Sequence, residues 1–229
     1  MTQEPLVTGI IDLHHHDGSY DLNAARERGM VALIHKATQG KDWRDPKFSA
    51  AMGLAAQARL LRGAYHFGSN SEEGEVQADF FLDRVASVVG DDAADALLVL
   101  DWENNPDATN GTMSADNARR FVKRVHEVTG RWPVLYSFTH FLKTHLPGRD
   151  EVLANCPLWQ SQFGEPPSKP ASPTWQAIDL WQYTNGADGP RDQQRYPRKT
   201  PGFAREAQDR SAFRGTVEQL TAWWTTAGR

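Results

Sequence analysis

The sequence predicts an α/β fold, a single irregular TIM-like barrel in which five β/α units are followed by three strands. Three observations carry this. Short apolar runs alternate with amphipathic stretches of helical period over the first two thirds of the chain. The alternation then stops, and Pro-rich loops separate the remaining strand-like runs. A length of 229 residues also suits one barrel of eight strands. Repeated β/α units imply parallel strands joined by right-handed crossovers, and eight such strands close on themselves.

The elements follow in order. Leu6–Leu13 is strand-like, then a polar turn leads to a helix from about Asp21 to Gly29. Met30–Ala37 is the second strand. Asp45-Pro46 opens the next helix, because Asp accepts from free N–H groups of a first turn and Pro needs no donor there; its apolar face runs to Leu60. Leu61–Phe67 and a helix over Ser71–Val89 form the third unit, and Ala96–Glu103 with a helix opened by Ser114 the fourth. In that helix Ala118, Phe121, Val122, Val125 and Val128 share one face, Arg119, Arg120, Lys123 and Arg124 the other, and Gly130 is placed to end it. Trp132–Phe138 and a short helix through about Leu146 complete the fifth unit. Pro157–Phe163, Ala177–Thr184 and Ala207–Phe213 are the last strands, and Thr216 with Gln219 matches a capping box opening a final helix. Residues 1–229 read as one catalytic barrel domain with a core from about 6 to 224; 165–174 and 186–208 are loops within it, the second either altering substrate access or simply a solvated insertion.

Composition excludes several classes. With 25 Lys and Arg against 29 Asp and Glu the net charge is −4, which lacks the basic footprint of a nucleic-acid binder. The lone Cys156 can form neither an internal disulfide nor a zinc knuckle, so it reads as a small buried hydrophobe. No apolar run approaches the roughly 18 residues of a spanning helix, and the first residues lack a basic and apolar leader, so neither a membrane partner nor a Sec signal is expected. Eight tryptophans suit a large core or flat platforms for sugar rings.

The candidate chemistry lies at strand ends. Asp101-Trp102-Glu103 closes the apolar run Leu97–Leu100, and side chains two apart on a strand point to one side, with Cα atoms roughly 6–7 Å apart. Two carboxyls in one apolar-walled pocket raise the pKa of at least one, by desolvation and like charge. A neutral acid beside a carboxylate is what glycosidic cleavage needs. Taken alone, the pair reads slightly more readily as an exposed acidic strand end, because short acidic motifs are common. Asp12 closes the first strand and Asp209 falls in the last, so a barrel brings both toward the same rim; several buried acids without a use would be costly.

Further segments resemble glycoside hydrolase family 25, the lysozymes that cleave the bond from N-acetylmuramic acid to N-acetylglucosamine in peptidoglycan. Gly9-Ile-Ile-Asp12 resembles the opening block of that family, and Lys36-Ala-Thr-Gln-Gly40 its Lys-Ala-Thr-Glu-Gly. Ala64-Tyr-His-Phe67, Leu100-Asp-Trp-Glu103, Pro133-Val-Leu-Tyr-Ser137, Leu180-Trp-Gln-Tyr-Thr184 and Gln208-Asp-Arg-Ser-Ala-Phe213 resemble later blocks in order. The resemblance implies Glu103 as general acid, with Asp101, Asp12 and Asp209 as the other catalytic acids. It implies Tyr65, Tyr136, Trp181, Tyr183, Trp102, Gln39 and His66 as substrate-binding residues. It further implies a cofactor-free enzyme, read as a monomer, whose partner is the peptidoglycan glycan strand. Gln39 stands where Glu is more frequent and Ser211 where Asn is common. Three mechanisms stay open: attack by the substrate's own 2-acetamido oxygen with retention, which we favour, direct attack by a carboxylate, or inversion through an activated water.

Two rival classes compete. Asp12-Leu-His14-His-His16 has the Asp-x-His-x-His form of metal-dependent amidohydrolase barrels, with His35, His66 and His140 after later strands. A catalytically silent glycan-binding barrel would grip sugar with the aromatics, its acids merely hydrogen-bonding hydroxyls. A chitinase-type Asp-x-x-Asp-x-Asp-x-Glu fails, because Ala96 and Val99 stand at the upstream aspartates. The biological setting stays open between a phage endolysin released at lysis and a secreted effector.

Overall fold

The computed structural model describes residues 4–107, 109–204 and 208–229. Five β/α units come first: β1 (Leu6–Leu13) with α1 (Leu22–Glu27), β2 (Ala32–Gln39) with α2 (Phe48–Gln57), β4 (Leu61–Phe67) with α3 (Gly74–Val89), β5 (Leu97–Asp101) with α4 (Ala115–Thr129), and β6 (Val134–Phe138) with α5 (Thr139–His145). Three strands follow, β7 (Leu158–Ser161), β8 (Leu180–Thr184) and β9 (Asp209–Arg214), then α6 (Val217–Thr226). A two-residue strand, β3 (Trp43–Arg44), folds back on the end of β2 across Gly40. It was not expected, since two residues carry no periodicity. Ala207, expected to open the last strand, lies outside the described residues.

Pairing closes the sheet. From β1 through β2, β4, β5, β6, β7 and β8 all neighbours are parallel, and β9 runs antiparallel to both β8 and β1. The result is an eight-stranded closed barrel with β3 appended at its rim. Asp21 caps α1 and Ser114 caps α4, each accepting from a first-turn N–H, while Gly130 ends α4 in the left-handed region at φ 70°. The capping box at Thr216 forms in full.

Strand parity divides the apolar residues into two cores. Leu98 and Leu100 face outward against the helices, whose inner faces supply Phe81, Phe121 and Val125. Leu97, Val99, Val134 and Trp159 face the barrel axis. The axis is plugged at its N-terminal end by α6 through Leu220 and Trp224, the latter donating its indole N–H to the Arg62 carbonyl at 2.8 Å. Among the described residues no helix follows β7 or β8; instead Tyr196, from the long loop after β8, packs on Trp181 and Tyr183. Cys156 is buried with a free thiol.

Candidate active site

The C-terminal end of the barrel opens into a cavity of about 360 Å³. The inward parity of β5 carries past Leu97 and Val99 to Asp101 and Glu103, and both line the cavity. β1 supplies Asp12, and its antiparallel pairing with β9 sets Asp209 directly opposite. Residues distant by nearly the whole chain thus meet at one mouth, which is the rim where α/β barrels carry their chemistry. Tyr65, Phe67 and Tyr136 form walls, Trp159 the floor, and Lys36 with Gln39 enters from β2.

Each acid has a distinct setting. Gln182 donates its amide to both carboxyl oxygens of Asp12, at 3.1 and 3.2 Å, and its own oxygen accepts from the Tyr136 hydroxyl at 2.9 Å. Burial and the neighbouring Asp209 nevertheless hold the Asp12 carboxyl well above the usual carboxylate range. Asp101 is 8% exposed. Its Oδ1 is buried without a hydrogen-bond partner among the described residues, and burial followed by the nearby Glu103 raises its pKa. Glu103 is half-buried; burial, then Asp209, pushes it up to about 7, against the opposing charge of Lys36. A carboxyl of that kind is protonated in mildly acidic solution and can give its proton to a leaving oxygen.

Four of the residues expected to bind substrate lie elsewhere. Trp102 faces outward between the inward Asp101 and Glu103; it is fully buried, donates to the Met113 carbonyl at 2.9 Å and packs edge-on against Phe141. His66, also outward, sits between Thr38 at 2.8 Å and Gln77 at 3.1 Å and stacks on Phe121, and burial drives its pKa down to about 3, so it is a neutral core residue. Trp181 and Tyr183 flank the inward Gln182 and therefore point away from the axis, with the Tyr183 hydroxyl bonded to the Pro197 carbonyl. Tyr65, Tyr136 and Gln39 do line the cavity. The parity that pairs Asp101 with Glu103 was enough to assign Trp102 outward, whereas the register of β8 against β7 and β9 is what turns Gln182 inward. Lys36, Phe67, Trp159 and Gln182 were not singled out.

The histidine run forms the turn after β1. Asp17 accepts from the His14 backbone at 2.7 Å, and buried Asp45 binds both the backbone N–H and Nδ1 of His15, at 3.0 and 3.1 Å. Among the described residues no three His, Cys, Asp or Glu side chains are grouped so as to hold a metal ion. The amidohydrolase reading therefore gains no support from the geometry.

A closed α/β barrel with four carboxyls at its C-terminal mouth, one of them raised to about 7, has the make-up of a barrel glycosidase. The sequence profile of glycosyl hydrolases family 25 matches residues 11–190, and the chain belongs to that family. It is 31% identical over 220 residues to Lysozyme M1 of Streptomyces globisporus, covering 93% of this chain and 69% of that protein. It spans 60–61% of the length of three uncharacterized Escherichia coli relatives. Among solved structures it is similar to a family GH25 lysozyme from Aspergillus fumigatus, with TM-score 0.76, 27% identity and coverage of 95% of this chain and 98% of that one. The bacterial lysozyme from Streptomyces coelicolor gives TM-score 0.73 and 29% identity, with 99% of each chain covered. The chain is thus a glycoside hydrolase of lysozyme type.

Proposed function

We propose that this peptidoglycan hydrolase is an endo-β-1,4-N-acetylmuramidase in which Glu103 is the general acid and the substrate's own 2-acetamido group is the nucleophile. The observation that carries the reading is the cavity at the C-terminal mouth where Glu103 stands beside the more deeply buried Asp101, with Asp12 and Asp209 facing them from β1 and β9. Glu103 protonates the bridging oxygen as the bond to the anomeric carbon breaks, while the acetamido oxygen attacks that carbon from the opposite face. Asp101, with an unpartnered buried oxygen lining the cavity, accepts the acetamido N–H and stabilises the positive charge that develops. Glu103, now a carboxylate, takes a proton from water as that water opens the cyclic intermediate, and configuration is retained. Asp12, held by Gln182, and Asp209 set the field around the cleft, and Tyr65 and Tyr136 flank the sugar. The partner is the glycan strand of the bacterial cell wall. Among the described residues no helix is long and apolar enough to cross a membrane.

Clearing of purified cell walls tests the activity. Wild-type protein is expected to clear them, and Glu103→Gln to lose about 10²–10⁴-fold in rate while still binding glycan. Mass spectrometry of reduced products should find muramic acid at the new reducing ends. Equal clearing by the variant, or glucosamine at those ends, would overturn the assignment.

A further inference from the structure

Lys36 is the cation that lines the acidic cavity from β2, and among the described residues it makes no contact ion pair there. Its Nζ donates to Gln39 Oε1 at 2.6 Å, the single hydrogen bond of that amine among the described residues. Aromatic faces hold the rest of it, with Nζ 4.6 Å from the Phe67 ring centre and 5.1 Å from that of Trp43. An amine in such a cavity would ordinarily close onto a carboxylate. Here a neutral amide and two rings keep it apart, so its charge is felt by the acids without being cancelled by any one of them.

We infer that Lys36 is a positioning residue whose uncancelled charge governs the ionisation of Asp101 and Glu103, and that the neutral amide of Gln39 keeps that charge available, making residue 39 the determinant of the working pH range. This rests on the reading of Glu103 as the general acid. The groups facing Lys36 are Asp101 and Glu103 at the end of β5, Asp12 on β1, Asp209 on β9, Tyr65 on β4 and Tyr136 on β6. His14, His15 and His16 in the turn after β1 line the same cavity, and Asp17 in that turn and Asp45 after β3 lie beyond them. Lys36 opposes the upward pull of burial on both Asp101 and Glu103, and Asp101, Asp45 and Glu103 in return favour its charged form against burial. A carboxylate at position 39 would take Lys36 into an ion pair and remove this bias.

Three variants test it: Gln39→Glu, Lys36→Met and the charge-conserving Lys36→Arg. Two readouts are needed, the pH dependence of kcat/KM on solubilised peptidoglycan and a carbon-13 NMR titration of the Glu103 carboxyl, assigned by its loss in Glu103→Gln. Gln39→Glu and Lys36→Met should move the Glu103 titration and the alkaline limb upward by about one pH unit, the size expected for one charge several ångströms away. Lys36→Arg should stay near wild type. Gln39→Glu is nearly isosteric, so the test survives a failure of Lys36→Met to fold. An unmoved Glu103 titration in Gln39→Glu overturns the inference even if walls are cleared normally. A moved titration in a protein that clears no walls sinks the muramidase reading instead.

Discussion

Glu103 can donate a proton only while it holds one, and its surroundings fix when that is. Burial and Asp209 stabilise the neutral carboxyl, Lys36 stabilises the ionised one, and the balance falls at about 7 against an ordinary 4.5. With Glu103 as the proposed general acid the protonated form is the active one, and kcat/KM is expected to fall about tenfold per pH unit above that point, which a pH–rate profile would read. A flat profile to pH 9 would remove Glu103 as the acid. Tyr136 acts at one remove: its hydroxyl donates to Gln182, which in turn donates to Asp12. Tyr136→Phe leaves the ring in place and frees the Gln182 amide to turn, so kcat/KM should drop several-fold to about tenfold with the melting temperature nearly unchanged. The site acids were legible in the sequence, since an acid at the end of an apolar strand run is a local signal. Gln182 was not, because nothing local marks an amide as the residue that meets Asp12.

At the scale of elements, the helix after the last strand does what no neighbouring β/α unit does. Trp224 of α6 fills the barrel floor, and a Cβ on Gly63 would approach its ring to 3.3 Å, so strand and helix are fitted closely there. Trp224→Ala should cost about 3–5 kcal/mol, through lost burial and a cavity under the strands, measured by denaturant melts. Thr216→Ala removes half of the capping box and should cost only about 1 kcal/mol. The order of strands and helices, β3 apart, was readable from period, and the capping box from Thr216 and Gln219. The plug was not, because an amphipathic helix at a chain end could equally have lain on the outside like the five before it. The same holds for the loop after β8: its Tyr196 covers an outer face that lacks a helix, and sequence composition marks it only as polar.

For the whole molecule, a cluster of raised acids is a cost to folding at neutral pH. A carboxyl with a folded-state pKa above its unfolded one binds more protons in the fold, so stability falls as pH rises through the window between them, here from 4.5 to about 7 for Glu103. Replacing it by a neutral isostere should therefore help above the window and do little below it. Glu103→Gln is expected to gain on the order of 2 kcal/mol and a few degrees in melting temperature at pH 8, and almost nothing at pH 4, by calorimetry at both values. A gain of equal size at pH 4 would mean packing, not ionisation, is responsible. The closed barrel makes this arrangement possible by holding the acids on different strands that cannot relax apart.

By itself the sequence determined the order of elements, the barrel, the four acids at its mouth and the family, because each is written in local periodicity or in short ordered motifs. Only the tertiary structure decided which side of each strand faces the axis. Parity makes neighbours alternate, yet whether Trp181 or Gln182 looks inward depends on the register of β8 against β7 and β9. It likewise decided that Asp12 faces Asp209, since that pair is made by closing the sheet between its first and last strands, and closure is a property of the whole chain.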